Sequence, residues 1–121
     1  MRILVVDDNP INLKSLFFSL RNEYDVEMAN DGHEALKKTR NIKFDLIIMD
    51  LWMPIIDGAE TTRQIRSLAS NINNKTPIIF YSTSSVEKDK KRCFTFGAND
   101  YLIKPLNIGA LKKKLEYYLS Y

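Results

Sequence analysis

Three aspartates stand where side chains can do chemistry. Asp7 and Asp8 end the apolar run Ile3-Leu4-Val5-Val6, and Asp50 ends the run Phe44-Asp45-Leu46-Ile47-Ile48-Met49. Two hydrophobic strands that each deliver carboxylates at their C-terminal ends predict one shared acidic pocket, because ligands of a parallel α/β sheet bind at that end. Carboxylates packed together repel unless a cation sits between them, and hard oxygen donors suit Mg²⁺, with Mn²⁺ as a substitute. Two further strand ends carry Ser82 and Lys104. A hydroxyl and an amine beside three acids suit phosphoryl chemistry. Asp50 attacks phosphorus, Asp8 and Asp50 hold Mg²⁺, and Ser82 and Lys104 hold the remaining phosphoryl oxygens. Taken singly, an aspartate at a strand end often only caps a helix, and a lysine before proline is usually a loop residue. Their coincidence on four strand ends carries the reading.

The elements that must position these groups are legible in the hydrophobic pattern. Strands are expected near 2–6, 24–28, 44–49, 77–81 and 100–103, rich in Ile, Val, Leu, Phe and Tyr. The first, third and fourth are apolar on both faces, as buried parallel strands are. Helices fill the gaps. Asn9-Pro10 gives an N-cap followed by proline in the first turn, and Leu13, Leu16, Phe17 and Leu20 follow at helical spacing. Asp31 with Glu34 reads as a capping box for the second helix, and Ser84 with Glu87 as the cap of a fourth that ends near Gly97. Ala59, Thr62, Ile65 and Leu68/Ala69 form the inner stripe of the third, and Ile108, Leu111, Leu115 and Leu119 that of a fifth opened by Asn107. Repeated βα units imply α/β architecture: a doubly wound parallel sheet with helices on both faces. The polar stretch Ser70-Asn71-Ile72-Asn73-Asn74-Lys75 reads as a surface loop.

A chain of 121 residues predicts one domain, residues 1–121, and 45% hydrophobic content supports a core. No apolar run is long enough to span a membrane, and a strand beginning at residue 2 leaves no room for a signal peptide. A single cysteine, Cys93, fits a reducing cytoplasm. The net charge of +3 is too mild to argue for direct nucleic-acid binding.

On these residues the chain resembles the receiver domain of two-component response regulators. Ile3-Leu4-Val5-Val6-Asp7-Asp8-Asn9 resembles the family's first strand and acidic pair. Ile47-Ile48-Met49-Asp50-Leu51-Trp52-Met53-Pro54 with Asp57-Gly58 resembles its phosphoacceptor strand and following loop. Pro77-Ile78-Ile79-Phe80-Tyr81-Ser82 and Gly97-Ala98-Asn99-Asp100-Tyr101-Leu102-Ile103-Lys104-Pro105-Leu106 match the fourth and fifth strands. The resemblance implies a flavodoxin-like (βα)5 sheet of order 2-1-3-4-5. It implies that Asp50 is the phosphoacceptor, Asp8 the principal metal carboxylate, Asp7 a ligand partly through water, and the Trp52 backbone carbonyl the third protein ligand. Ser82 would bond the phosphoryl group, Lys104 would pair with it, and Tyr101 would be the switch aromatic. The Lys104-Pro105 peptide is expected to be cis. The implied partner is a sensor histidine kinase or phosphotransfer protein, and the protein labels itself stoichiometrically and loses phosphate slowly rather than turning over a substrate.

Some positions depart from the commonest pattern. Thr83 stands where a small residue is usual, Ser82 replaces the commoner threonine, and Trp52 is bulky enough to shield an acyl phosphate from water. Cys93 reads as core, His33 as an exposed helix residue, and Phe18 as an outward aromatic. The fourth and fifth helices carry Lys88, Lys90, Lys91, Arg92, Lys112, Lys113 and Lys114 against Glu87, Asp89 and Glu116. With Tyr101 beside it, the face formed by the fourth helix, fifth strand and fifth helix is expected to dock a downstream protein or a second copy. Two other readings compete. A small aspartate-nucleophile phosphatase would need a cap or more chain. A flavodoxin-like redox protein would need a hydroxyl- and glycine-rich loop where Asp7-Asp8-Asn9-Pro10 stands.

Overall fold

The computed structural model describes residues 1–120. Five strands alternate with five helices: β1 Arg2–Val6, α1 Pro10–Leu20, β2 Asp25–Ala29, α2 Gly32–Asn41, β3 Leu46–Asp50, α3 Gly58–Ser67, β4 Ile78–Ser82, α4 Glu87–Thr95, β5 Asp100–Ile103 and α5 Ile108–Leu119. All pairings are parallel, and the strand order is β2-β1-β3-β4-β5. The fold class expected from the sequence therefore holds.

Side-chain alternation along the strands sorts the core into two layers. Ile3, Val5, Leu46, Ile48, Ile79 and Tyr81 face α1 and α5, whose Leu13, Leu16, Leu20, Leu111, Leu115 and Leu119 close over them. Leu4, Val6, Ile47, Met49, Ile78 and Phe80 face the other way, toward Ala35 and Leu36 of α2, Ala59 and Ile65 of α3 and Cys93 of α4. Each fully buried aliphatic side chain contributes roughly 1.5–3 kcal/mol. The central strands β3 and β4 bury every residue, and the edge strand β5 buries none fully.

Four helices start as their sequences dictate. The Asn9 side chain accepts from the Ile11 and Asn12 amides, Asp31 from Glu34, Asp57 from Glu60 and Asn107 from Ala110. The reciprocal half of the Asp31 box falls one residue early, because Glu34 accepts from Asn30 rather than from Asp31 itself.

Three expectations need correction. Ser84 does not cap α4: the helix begins after Val86, which offers no side-chain acceptor. Ser84 lies two residues before Val86, where its hydroxyl accepts from the Val86 amide at 3.2 Å and donates to the Asp89 carboxylate at 2.5 Å. Leu68 and Ala69 are not part of the α3 stripe, because the helix ends at Ser67 and both residues are exposed. The stretch 70–75 is more than a surface loop. Asn73 is fully buried, its Oδ1 accepting from the Phe44 amide and Thr76 hydroxyl and its Nδ2 donating to the Thr39 and Ile42 carbonyls.

Candidate functional site

The register of the sheet brings the chemical residues together. Val6 lies beside Met49, so the next residues, Asp7 and Asp50, emerge side by side at the switch point between β1 and β3. Ser82 follows Tyr81, the β4 partner of Asp50. Lys104 follows Ile103, the β5 partner of Ser82, and its amide donates to the Ser82 carbonyl at 2.8 Å. Four residues distant in sequence thus converge on one edge of the sheet. The Lys104-Pro105 bond is cis, as expected.

Asp7, Asp8 and Asp50 can each present a carboxylate oxygen within 4.8 Å of the others. Asp7 is fully buried, Asp50 nearly so, and Asp8 is exposed. Lys104 bridges the two buried acids, with Nζ 3.2 Å from Asp50 Oδ1 and 3.7 Å from Asp7 Oδ2. The Asp50 carboxyl is pushed up to about 7: burial is the main cause, the Asp7 charge adds to it, and Lys104 opposes both. A divalent cation reverses that balance by favouring the ionised form. An all-oxygen donor set of three acids fits Mg²⁺ or Mn²⁺.

The loop after β3 packs α3 against the pocket. The Gly58 amide donates to the Leu51 carbonyl at 2.7 Å, and a Cβ at Gly58 would lie 2.1 Å from the Asp50 carbonyl oxygen. Only glycine permits that approach. Within this loop Ile55 is exposed and adopts φ 72°, a left-handed conformation unusual for a β-branched residue. Trp52, two residues after Asp50, has half its surface exposed.

Ser82 is fully buried, and its hydroxyl accepts from the Ser84 amide at 3.1 Å. Tyr101 is half-buried, its hydroxyl donating to the Ser84 carbonyl at 2.8 Å. Thr83 is exposed. Cys93 is buried and His33 exposed, as expected, and Phe18 projects outward. Burial pushes the Cys93 thiol up to about 12.

Two contacts of the site escape sequence reading. The Tyr81 hydroxyl donates to Asp7 Oδ2. A tyrosine in an otherwise apolar central strand is the available signal, since a buried phenol needs a partner. Arg92 of α4 makes a two-pronged ion pair with Asp57, at 2.8 and 3.2 Å, across 35 residues of sequence. No local pattern announces a pairing at that separation.

The comparisons with known proteins agree with this geometry. The family model for the response regulator receiver domain matches residues 3–116. The chain is 36% identical to the response regulator ArlR of Staphylococcus saprophyticus over 94% of this chain and 50% of that one. It is 35% identical to the sensor histidine kinase RcsC of Salmonella typhi over 98% of this chain and 12% of that one. The chain spans half or less of the length of these relatives. Among solved structures, the chemotaxis protein CheY4 of Vibrio cholerae superposes with TM-score 0.89 at 34% identity, covering 97% of both chains. The receiver domain of a Pseudomonas aeruginosa sensor histidine kinase, solved with a magnesium ion in its active site cleft, has TM-score 0.89 at 32% identity, covering 99% of this chain and 98% of that one. Among the described residues no helix is long and apolar enough to cross a membrane. The chain belongs to the response regulator receiver domain family of two-component signal transduction, whose members are signalling switches.

Proposed function

We propose that Asp50 accepts a phosphoryl group from a phosphohistidine presented by a sensor histidine kinase or phosphotransfer protein. The observation that supports this most is the three-acid cluster bridged by Lys104 at the switch point of the sheet. A carboxylate oxygen of Asp50 bonds to phosphorus as the phosphorus–nitrogen bond of the donor breaks, and the imidazole leaves with the electron pair. Asp8, Asp50 and the Trp52 carbonyl would hold Mg²⁺, or Mn²⁺, with Asp7 acting partly through water. Bound there, the cation neutralises the phosphoryl oxygens. Lys104 pairs with one of those oxygens and leaves its present carboxylates to do so. The Ser82 hydroxyl turns toward another.

That turn vacates the space next to Tyr101. Tyr101 then moves inward, abandons the Ser84 carbonyl and changes the surface of α4, β5 and α5. The new surface docks a downstream protein or a second copy of the chain. Neither nucleic acid nor membrane is a direct partner of this unit. The chain labels itself once and hydrolyses the acyl phosphate slowly, and the Trp52 indole, two residues from Asp50, restricts the approach of water.

Incubation with acetyl phosphate and Mg²⁺, followed by intact mass, tests the reading. One phosphate adduct is expected for the wild type, and none for Asp50→Asn or in chelator. An adduct that persists on Asp50→Asn rejects the assignment. Trp52→Ala should shorten the lifetime of the adduct about tenfold, equivalent to about 1.4 kcal/mol of barrier. An unchanged lifetime rejects the shielding role.

A further inference from the structure

The steps above leave one group beside the acids unused. Tyr81 precedes Ser82 on β4, faces α1 and α5, and is 2% exposed. Its hydroxyl donates to Asp7 Oδ2 at 2.5 Å. The other Asp7 oxygen accepts from the Asn9 amide at 2.9 Å. Both oxygens of the innermost acid are therefore oriented, one by the end of β4 and one by the turn after β1. Lys104 shares this arrangement, with Nζ 3.7 Å from the same Asp7 Oδ2 and 4.6 Å from the centre of the Tyr81 ring. Tyr81 and Lys104 also line, with Asn12, Ser15 and Leu106, a cavity of about 230 Å³ between α1 and the turn after β5.

We propose that Tyr81 is a positioning residue for the metal site, acting through Asp7. Its phenol fixes the orientation of the buried carboxylate and remains its donor when Lys104 turns to an incoming anion. The inference rests on the reading of the acids as a metal and phosphoryl site.

Three physical points carry it. A phenylalanine would fill the same apolar layer without a hydroxyl to satisfy, so the phenol is not needed for packing. A hydrogen bond to a buried charged oxygen is stronger and more orienting than one to a neutral group. Lys104 is the charged neighbour of that oxygen, at 3.7 Å, and once it turns away the Tyr81 hydroxyl is the group that still holds Asp7 Oδ2. Groups that orient a ligating side chain without touching the metal typically change metal affinity by about 10–100-fold when removed.

The test is Tyr81→Phe, which keeps the ring and its contact with Lys104. MgCl₂ is titrated against Trp52 emission and by calorimetry, in the wild type, Tyr81→Phe, Asp7→Asn and the double variant. The expected result is half-saturation at about tenfold higher Mg²⁺ in Tyr81→Phe, and less than about a twofold further change when the same substitution is made on Asp7→Asn. Half-saturation within about twofold of the wild type overturns the proposal, as does an equal shift in the Asp7→Asn background, because a merely structural role would act without Asp7. If Tyr81→Phe fails to fold by circular dichroism, the wild-type protein labelled with ¹³C at the tyrosine ζ carbon decides. The Tyr81 resonance is expected to move on Mg²⁺ saturation, and an unmoved resonance overturns the proposal. A wild type that takes up no Mg²⁺ overturns the metal site and this inference together. A wild type that binds while Tyr81→Phe binds equally overturns the inference alone.

Discussion

β3 and β4 bury every one of their residues, whereas α4 buries only Cys93. The contrast extends to the helix starts. α1, α2, α3 and α5 each have an Asn or Asp side chain accepting from the first turn, and α4 has none. At roughly 1.5–3 kcal/mol per buried aliphatic side chain, the three leucines of α1 outweigh anything α4 contributes. What holds α4 is a polar set: the Arg92–Asp57 pair, the Ser84–Asp89 bond and the Lys90 ammonium 5.7 Å from the Tyr101 ring centre. The strands that carry Asp50 and Ser82 are rigid by burial, and the helix beside them is held by contacts that can be exchanged. Low local stability of this kind is what a moving element requires.

The rigid side breaks most sharply at Gly58. A methyl there would meet the Asp50 carbonyl oxygen at 2.1 Å, and backbone cannot yield as a side chain can. Gly58→Ala should lose about 3 kcal/mol or more, read as a lower urea midpoint, and should misplace Asp50. Retained stability and retained labelling together would show that the loop after β3 is softer than its packing implies.

Asp50 itself makes the rigid side sensitive to pH. Its folded value, about 7, lies above its ordinary value, so the folded state holds a proton that the unfolded chain releases. The Asp50 contribution to metal-free stability is therefore present at low pH and is lost as pH rises from about 4 through about 7. In chelator, Asp50→Asn should be the more stable protein at pH 8, by on the order of 2 kcal/mol, with the gap closing toward pH 4. Saturating Mg²⁺ should shrink or invert the gap. Melting curves of both proteins with and without Mg²⁺ measure it. A gap that widens on acidification would contradict the assigned direction.

The loose side breaks at Arg92. Both partners of its pair are partly exposed, so Arg92→Ala should cost only about 1 kcal/mol globally. Its local effect should be larger: amide exchange should accelerate across α4 and stay unchanged in β3 and β4. Acceleration spread evenly over all elements would erase the contrast between the two regions. The smallest effect concerns Ile55. Relief of its left-handed backbone by Ile55→Gly should stabilise the protein by about 0.5 kcal/mol, because no packing is lost at an exposed site. A decrease in the melting midpoint would indicate that Ile55 holds a contact worth more than its strain.

The parts of this molecule that depend on neighbours in sequence were readable, and the parts that depend on distant partners were not. Asn9, Asp31 and Asn107 cap helices through amides two or three residues away, so type and position suffice, and Asp57 caps α3 by the same rule although it was read only as part of a loop. The strand ends carrying Asp7, Asp8, Asp50, Ser82 and Lys104 were readable because hydrophobic runs fix where each strand stops. Ser84 misled because α4 starts two residues later than its cap position would require, and Leu68 because α3 stops one residue short of it. Asn73, Tyr81 and Arg92 find partners 29, 74 and 35 residues away; nothing local distinguishes Asn73 and Arg92 from ordinary loop and surface residues, and the phenol of Tyr81 signals that it needs a partner but not which one.

Asn73 also gives the protein a record of its own opening. Its side chain uses both lone pairs of Oδ1 and both hydrogens of Nδ2, and the Asn74 amide is held by the Asn71 carbonyl. Deamidation requires that amide nitrogen to attack the Asn73 side-chain carbonyl, and the folded backbone denies it the approach. Once the chain opens and the amide is freed, its attack expels ammonia and closes a succinimide, and water opens that ring to aspartate or isoaspartate, so the two-hydrogen donor facing the Thr39 and Ile42 carbonyls is lost. Either product then obstructs closing at the end of the sheet opposite the acids. Chemical ageing at residue 73 accumulates only during the time spent unfolded.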